Sequence, residues 1–74
     1  MKLPVIYSKD LIKVAQKFGF KEIRQKGSHK TFSNSENKIF TIPYHTNKPV
    51  PIGLLHKIIR EDLGISIEEF IDNL

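Results

Sequence analysis

A short basic stretch, RQKGSHKTF at residues 24–32, contains the residues best suited to chemistry. His29 lies between Lys26 and Lys30, and the stretch contains no Asp or Glu. Neighbouring cations disfavour a further positive charge, so we expect a neutral imidazole that can accept a proton. The stretch therefore contains a candidate general base.

Positive charge around this histidine indicates what it could act on. The candidate phosphate-binding residues are Arg24, Lys26, Ser28 and Lys30. A neutral histidine beside a bound phosphate could take the proton from a ribose 2′-hydroxyl, and the freed oxygen could then attack the adjacent phosphorus. The cations would stabilise the developing charge, so this reaction requires no metal. The alternative is an exposed histidine on a solvated strand, without a chemical role.

Two other histidines are candidate partners of His29. His45 is expected at the same end of the predicted sheet, where it could act as the complementary acid or orient a substrate; the alternative is a loop histidine that caps backbone groups. His56 is predicted on the surface of a helix. The three match no compact zinc pattern and the chain has no cysteine, so neither a metal site nor a cofactor is expected.

The elements that would position these residues begin with a helix over 9–18, with Ser8 as its N-cap and Gly19 as the residue that ends it. Three antiparallel strands follow, at about 20–26, 29–33 and 38–42. Gly27-Ser28 is predicted as a two-residue type II′ turn. This turn would pair Lys26 with His29, Arg24 with Thr31 and Ile23 with Phe32, and the next pairing would set Phe32 opposite Lys38 and His29 opposite Thr41.

This register predicts two faces of the sheet. The apolar face, expected to meet the helices, would carry Ile23, Phe32, Phe40 and Ile42. The polar face would carry Arg24, Lys26, His29, Thr31, Ser33 and Thr41. In this arrangement Lys30 points to the apolar side and Ile39 to the polar side. Such misplaced residues are tolerated at the ends or edges of strands.

After a proline-marked loop, the pattern predicts a second helix from Pro51 at N1 to about Leu63, with Gly64 after it. Ser66 and Glu69 form a capping box for a short last helix. The fold class expected is α+β, a two-layer arrangement of a helix, a three-stranded antiparallel sheet, a helix and a short helix. Residues 1–74 are expected to form a single domain.

Composition limits the class of protein and its partners. The chain has no apolar segment long enough to span a membrane. The apolar run in its first ten residues is too short for a signal peptide, so a cytoplasmic protein is expected. The first 60 residues contain all 12 Lys and Arg and only three acids, whereas residues 61–74 contain five acids and no Lys or Arg. A basic body of this kind favours a polyanionic partner.

Four segments in order carry a resemblance to a known family: LPVIYSKDLIKVAQKFGF, RQKGSHKTF, FTIPYH and GLLHKIIREDLGISIEEFI. Together they resemble the HicA family of small toxins, the ribosome-independent mRNA interferases of bacterial and archaeal toxin–antitoxin pairs. The resemblance covers nearly the whole chain. The chain departs from it at Gly53-Leu54-Leu55, where many members have Gly-Thr-Leu.

The resemblance implies a fold like that of the double-stranded RNA-binding domain and an endoribonuclease that cleaves mRNA. It implies that Gly27 and Ser28 form the turn of the family motif and that His29 is its catalytic histidine. It also implies a partner, a HicB-type antitoxin that covers the active face. Two alternatives remain open: a module that binds double-stranded RNA without cutting it, and an interaction protein whose cationic face docks an acidic protein.

Overall fold

The computed structural model describes residues 2–74. A helix precedes a three-stranded antiparallel sheet, and three helical segments follow it, which confirms the predicted α+β class. The strands are ordered β1-β2-β3 across the sheet. The elements are α1 (Ser8–Lys17), β1 (Lys21–Lys26), β2 (His29–Ser33), β3 (Ile39–Pro43), α2 (Ile52–Lys57), a π-helical segment (Ile58–Leu63) and α3 (Ile67–Asp72). No helix within residues 2–74 is long and apolar enough to cross a membrane.

The core lies between one face of the sheet and the helices. Phe32, Phe40 and Ile42 are the buried apolar residues that the strands contribute. The Phe40 ring centroid lies 5.0 Å from that of Phe20 and 5.4 Å from that of Phe32, so the aromatic rings pack against one another. The helical layer completes the core with Leu11, Val14, Ala15, Leu55, Ile58, Ile59 and Phe70.

Helix α1 begins differently from the prediction. Tyr7 is the N-cap, and Ser8 is the first helical residue. The Ser8 side chain is buried, and its hydroxyl donates to the Pro43 carbonyl at 3.1 Å instead of capping the helix. The prediction of Ser8 as N-cap is therefore wrong, because a tertiary acceptor competes for its hydroxyl. Gly19 has φ +89° and follows the helix end, as predicted.

The pairing of β1 with β2 contains a β-bulge that the sequence pattern did not predict. Lys26 pairs with His29 and Arg24 with Thr31 as expected, but Phe32 pairs with Glu22. The extra residue, Ile23, is 56% exposed, so its predicted place in the core is wrong. The bulge brings Glu22 to the side of the sheet on which Lys30 lies, and their charged groups are 3.4 Å apart.

The register between β2 and β3 differs from the prediction by two residues. Phe32 pairs with Phe40, Thr31 with Thr41 and His29 with Pro43. The connecting turn is longer than expected because the Asn34 side-chain oxygen accepts from the backbone N–H groups of residues 36 and 38. A two-residue shift preserves which face each side chain occupies, so the predicted faces of β2 and β3 hold.

The C-terminal helices also differ in detail. Pro51 is the N-cap of α2 instead of its first helical residue. From Ile58 the helix continues in π-helical geometry and ends at Gly64, which has φ +66°. For α3, the Ser66 hydroxyl accepts from the Glu69 N–H at 3.0 Å, which confirms Ser66 as the N-cap. Within residues 2–74 the Ser66 N–H makes no return bond to the Glu69 carboxylate, so only one half of the predicted capping box forms.

Candidate functional site

The outer face of the sheet, away from the helices, contains a shallow depression beside the β1–β2 turn. We call this depression the histidine groove. Its lining residues are Arg24, Lys26, Gly27, His29, Thr31 and Thr41. Period-two alternation explains this grouping, because alternate residues of adjacent strands share one face of a sheet. The groove thus brings together the candidate base and two of the predicted phosphate-binding residues.

His29 is held at the rim of the groove by backbone structure on both sides. It is the first residue of β2, paired with Lys26 of β1 and Pro43 of β3. The turn before it contains Gly27 at φ +58°, a conformation that favours glycine. The Ser28 carbonyl accepts from the Tyr44 N–H, which ties this turn to the end of β3. The backbone under His29 is therefore fixed, while the imidazole is exposed.

The groove carries positive charge that no acid within residues 2–74 neutralises. The ion pairs of this part of the chain join Lys30 to Glu22 and Lys57 to Asp62. Arg24 and Lys26 are exposed, and neither side chain forms an ion pair or a hydrogen bond with any group of residues 2–74. The imidazole of His29 likewise has no hydrogen-bond partner among them. All three side chains are thus available to a ligand.

Lys30 does not reach this groove. It follows His29 in β2, so its side chain lies on the opposite face of the sheet. There its ammonium group is 3.4 Å from the Glu22 carboxylate and 4.2 Å from the centroid of the Tyr44 ring. Like Lys30, the Ser28 side chain does not line the groove. The backbone carbonyl of Ser28 still contributes to the site, because it accepts the Tyr44 N–H and so holds the turn in place.

The floor of the groove contains a pair of hydroxyls that sequence reasoning missed. The side-chain oxygens of Thr31 and Thr41 are 2.9 Å apart, and Thr31 is only 4% exposed. Directly opposed threonines of this kind stabilise an antiparallel pair. The signal was present in the sequence as two threonines on the polar face, but the predicted register set Thr41 opposite His29 instead.

Comparison with models of protein families identifies the family of this chain. The model of the family described as "HicA toxin of bacterial toxin-antitoxin" matches residues 8–65, from the start of α1 to just beyond the π-helical segment. The chain belongs to the HicA toxin family. It is therefore a toxin of a toxin–antitoxin system, as the resemblance implied, and HicA toxins pair with HicB antitoxins. A search of curated proteins finds no match.

In this HicA toxin, His45 lies in a different depression from His29. That cavity is lined by His45, residues 44, 46 and 47 beside it, and Tyr7, Lys9 and Asp10 at the start of α1. His45 is two residues beyond Pro43, the cross-strand partner of His29, so both histidines lie at the same end of the sheet. Within residues 2–74, no three His, Asp or Glu side chains are grouped as metal ligands.

Gly53-Leu54-Leu55, the segment that departs from the resemblance, lies at the start of helix α2 and is partly packed. Leu54 is half-buried against the core, and Leu55 is almost fully buried. Both side chains contribute to the helical layer, and Leu54 is the residue at which the resemblance implies a threonine in many members. Gly53, by contrast, is exposed.

Proposed function

We propose that this toxin is a metal-independent endoribonuclease that cleaves mRNA, with His29 as its general base. One observation supports the proposal most directly: an exposed imidazole shares the histidine groove with Arg24 and Lys26, and no acid of residues 2–74 pairs with these cations. A proton acceptor beside unneutralised phosphate-binding groups is what RNA transesterification requires. Membership of the HicA family, whose toxins are generally ribonucleases, supports the same reaction.

The proposed reaction begins when a backbone phosphate binds to Arg24 and Lys26. The imidazole of His29 takes the proton from the adjacent 2′-hydroxyl, and the 2′-oxygen forms a bond to phosphorus. The bond from phosphorus to the 5′-oxygen of the next nucleotide breaks, and that oxygen takes a proton from water. The hydroxide left behind removes the proton from the His29 imidazolium, which restores the base. The products are a 2′,3′-cyclic phosphate and a free 5′-hydroxyl. The two cations stabilise the negative charge on the phosphoryl oxygens in the transition state.

The antitoxin partner follows from the same charges. An acidic surface of a HicB-type antitoxin would pair with Arg24 and Lys26, cover His29 and exclude RNA from the groove. Messenger RNA and the antitoxin thus compete for one face of the sheet. Because mRNA is translated in the cytoplasm, the proposed reaction takes place there.

A substrate lacking one 2′-hydroxyl tests the proposal. A short RNA is first cut by the purified toxin to find the cleavage position, and the nucleotide that supplies the 2′-oxygen there is then replaced by its 2′-deoxy form. We expect cleavage at that position to disappear while binding persists. Cleavage of the deoxy substrate at the same bond would overturn the mechanism, and binding of both RNAs without any cleavage would favour the non-catalytic RNA-binding alternative.

Replacement of Lys26 by alanine should weaken RNA binding in a salt-dependent way. Each cation that binds a phosphate of single-stranded nucleic acid adds about 0.7 to the slope of log affinity against log salt, so we expect a slope shallower by about that amount. Lys57→Ala is the matched control, because the Lys57 ammonium is already 3.3 Å from the Asp62 carboxylate on the helical layer. Fluorescence anisotropy over a range of salt concentrations measures the slopes. Equal slopes for wild type and Lys26→Ala would show that Lys26 does not bind a phosphate.

A further inference from the structure

We propose that the cavity beyond the end of β3 binds a nucleobase next to the scissile phosphate and so selects the cleavage site, an inference that depends on the proposed endoribonuclease activity. The cavity has a volume of about 490 Å³, within the range of small-ligand sites. It is lined by Tyr7, Lys9, Asp10, Tyr44, His45, Thr46 and Asn47. We call it the tyrosine cavity.

Two aromatic rings line the tyrosine cavity. Tyr7 is 40% exposed immediately before α1, and Tyr44 is half-buried immediately after β3. Unstacked bases of single-stranded RNA bind by stacking on such rings. Both walls are anchored: Tyr7 forms a backbone bridge with Pro49, and the Lys30 ammonium lies 4.2 Å from the Tyr44 ring centroid. Lys30, which does not reach the histidine groove, thus steadies a wall of the second site.

The cavity also offers groups that can read a base edge. The Asn47 amide has both donors and an acceptor, and Thr46 and His45 add a hydroxyl and an imidazole. None of these three side chains forms a hydrogen bond with another group of residues 2–74, and all three are exposed. Stacking supplies affinity for any base, whereas these polar groups would supply the preference.

The backbone connects the cavity to the candidate base. Pro43 pairs with His29 across the sheet, and Tyr44 is the next residue along the chain. The Tyr44 N–H donates to the Ser28 carbonyl in the turn that precedes His29. Because the Tyr44 ring contacts Lys30 on the helix side of the sheet, the cavity and the histidine groove lie on either side of the same sheet end. An RNA strand with its phosphate in the groove would pass around this end of the sheet to bring a flanking base to the tyrosines.

Cleavage of a mixed-sequence RNA by variants tests the inference. We expect Tyr44→Leu to lower cleavage at the preferred sites by about tenfold and to flatten the base preference beside the cut, whereas Tyr44→Phe keeps the ring and the preference. Asn47→Ala, an exposed loop change that does not threaten folding, should alter the preference as well. Ser35→Ala, in the distant β2–β3 turn, is the control. Unchanged preferences in both Tyr44→Leu and Asn47→Ala would overturn the inference while leaving the endoribonuclease proposal intact.

A binding experiment separates this inference from cleavage itself. Folded His29→Ala protein is titrated with a single-stranded RNA hexanucleotide and followed by NMR. Shifts at residues 44–47, together with binding weakened about fivefold by the added Tyr44→Leu change, would support the base site even if the wild type never cuts RNA. Binding that leaves these resonances unmoved would overturn it.

Discussion

Replacement of His29 by alanine is expected to lower the rate of RNA cleavage by about 10²–10⁴-fold, the usual contribution of a general base. The fold should persist, because the imidazole is exposed and forms no hydrogen bond within residues 2–74. Affinity for RNA should change little, since Arg24 and Lys26 remain to bind phosphate. Single-turnover cleavage and anisotropy titration of the same purified variant measure the two quantities separately.

The matched control is His56→Ala, which removes a histidine from α2, outside both depressions. We expect it to cleave RNA at the wild-type rate. In cells, expression of the wild type or His56→Ala without antitoxin should arrest growth, and His29→Ala should relieve the arrest. Growth arrest that persists with folded His29→Ala would count heavily against the role assigned to His29.

Replacement of Phe32 by alanine is expected to cost about 3–5 kcal/mol of unfolding free energy, as large aromatic deletions in cores do. Phe32 is fully buried and its ring centroid lies 5.4 Å from that of Phe40. A chain of this size has a thin core, and total stabilities of domains are about 5–15 kcal/mol, so much of the variant should be unfolded at physiological temperature. Urea denaturation followed by circular dichroism measures the change.

Ile23→Ala is the informative control for that experiment. The sequence pattern predicted both Ile23 and Phe32 on the apolar face, but the β-bulge leaves Ile23 56% exposed. We therefore expect a loss of less than about 0.5 kcal/mol for Ile23→Ala, as for ordinary surface changes. A loss of several kcal/mol would show that Ile23 is buried and that the strands pair without the bulge.

Local patterns were sufficient to predict the order of elements and the composition of the outer face. Gly19 and Gly27 mark a helix end and a tight turn because both adopt positive φ. Alternation within β2 and β3 places Phe32 and Thr31 on opposite faces whether or not the register is shifted by two residues. The grouping of His29 with Arg24 and Lys26 follows from this alternation and the short turn alone.

Tertiary competition explains what the patterns missed. Ser8 has the residue type of an N-cap, but the carbonyl of Pro43 lies 3.1 Å from its hydroxyl. Lys30 lies on the apolar side, where the predicted register placed it, but its contacts with Glu22 and Tyr44 there were not predicted. The bulge that brings Glu22 there adds one unpaired residue, and no spacing rule along a single strand reveals such an insertion.

The tyrosine cavity could not be predicted for a related reason. Tyr7 and Tyr44 are far apart in the sequence and become neighbours only when the segment before α1 bridges to Pro49 and the end of β3 meets the helix. The sequence pattern places His45 near the end of the sheet that carries His29, and the structure agrees. That His45 lines a separate cavity depends on these long-range contacts.

The most direct test of the central claim is RNA cleavage by wild type and His29→Ala, both in EDTA, with the product ends identified by mass spectrometry. We expect cleavage by the wild type alone, leaving 2′,3′-cyclic phosphate and 5′-hydroxyl ends. Equal cutting by both proteins would move the chemistry away from His29. Loss of wild-type cutting in EDTA, restored by added divalent cation, would contradict the metal-independent mechanism.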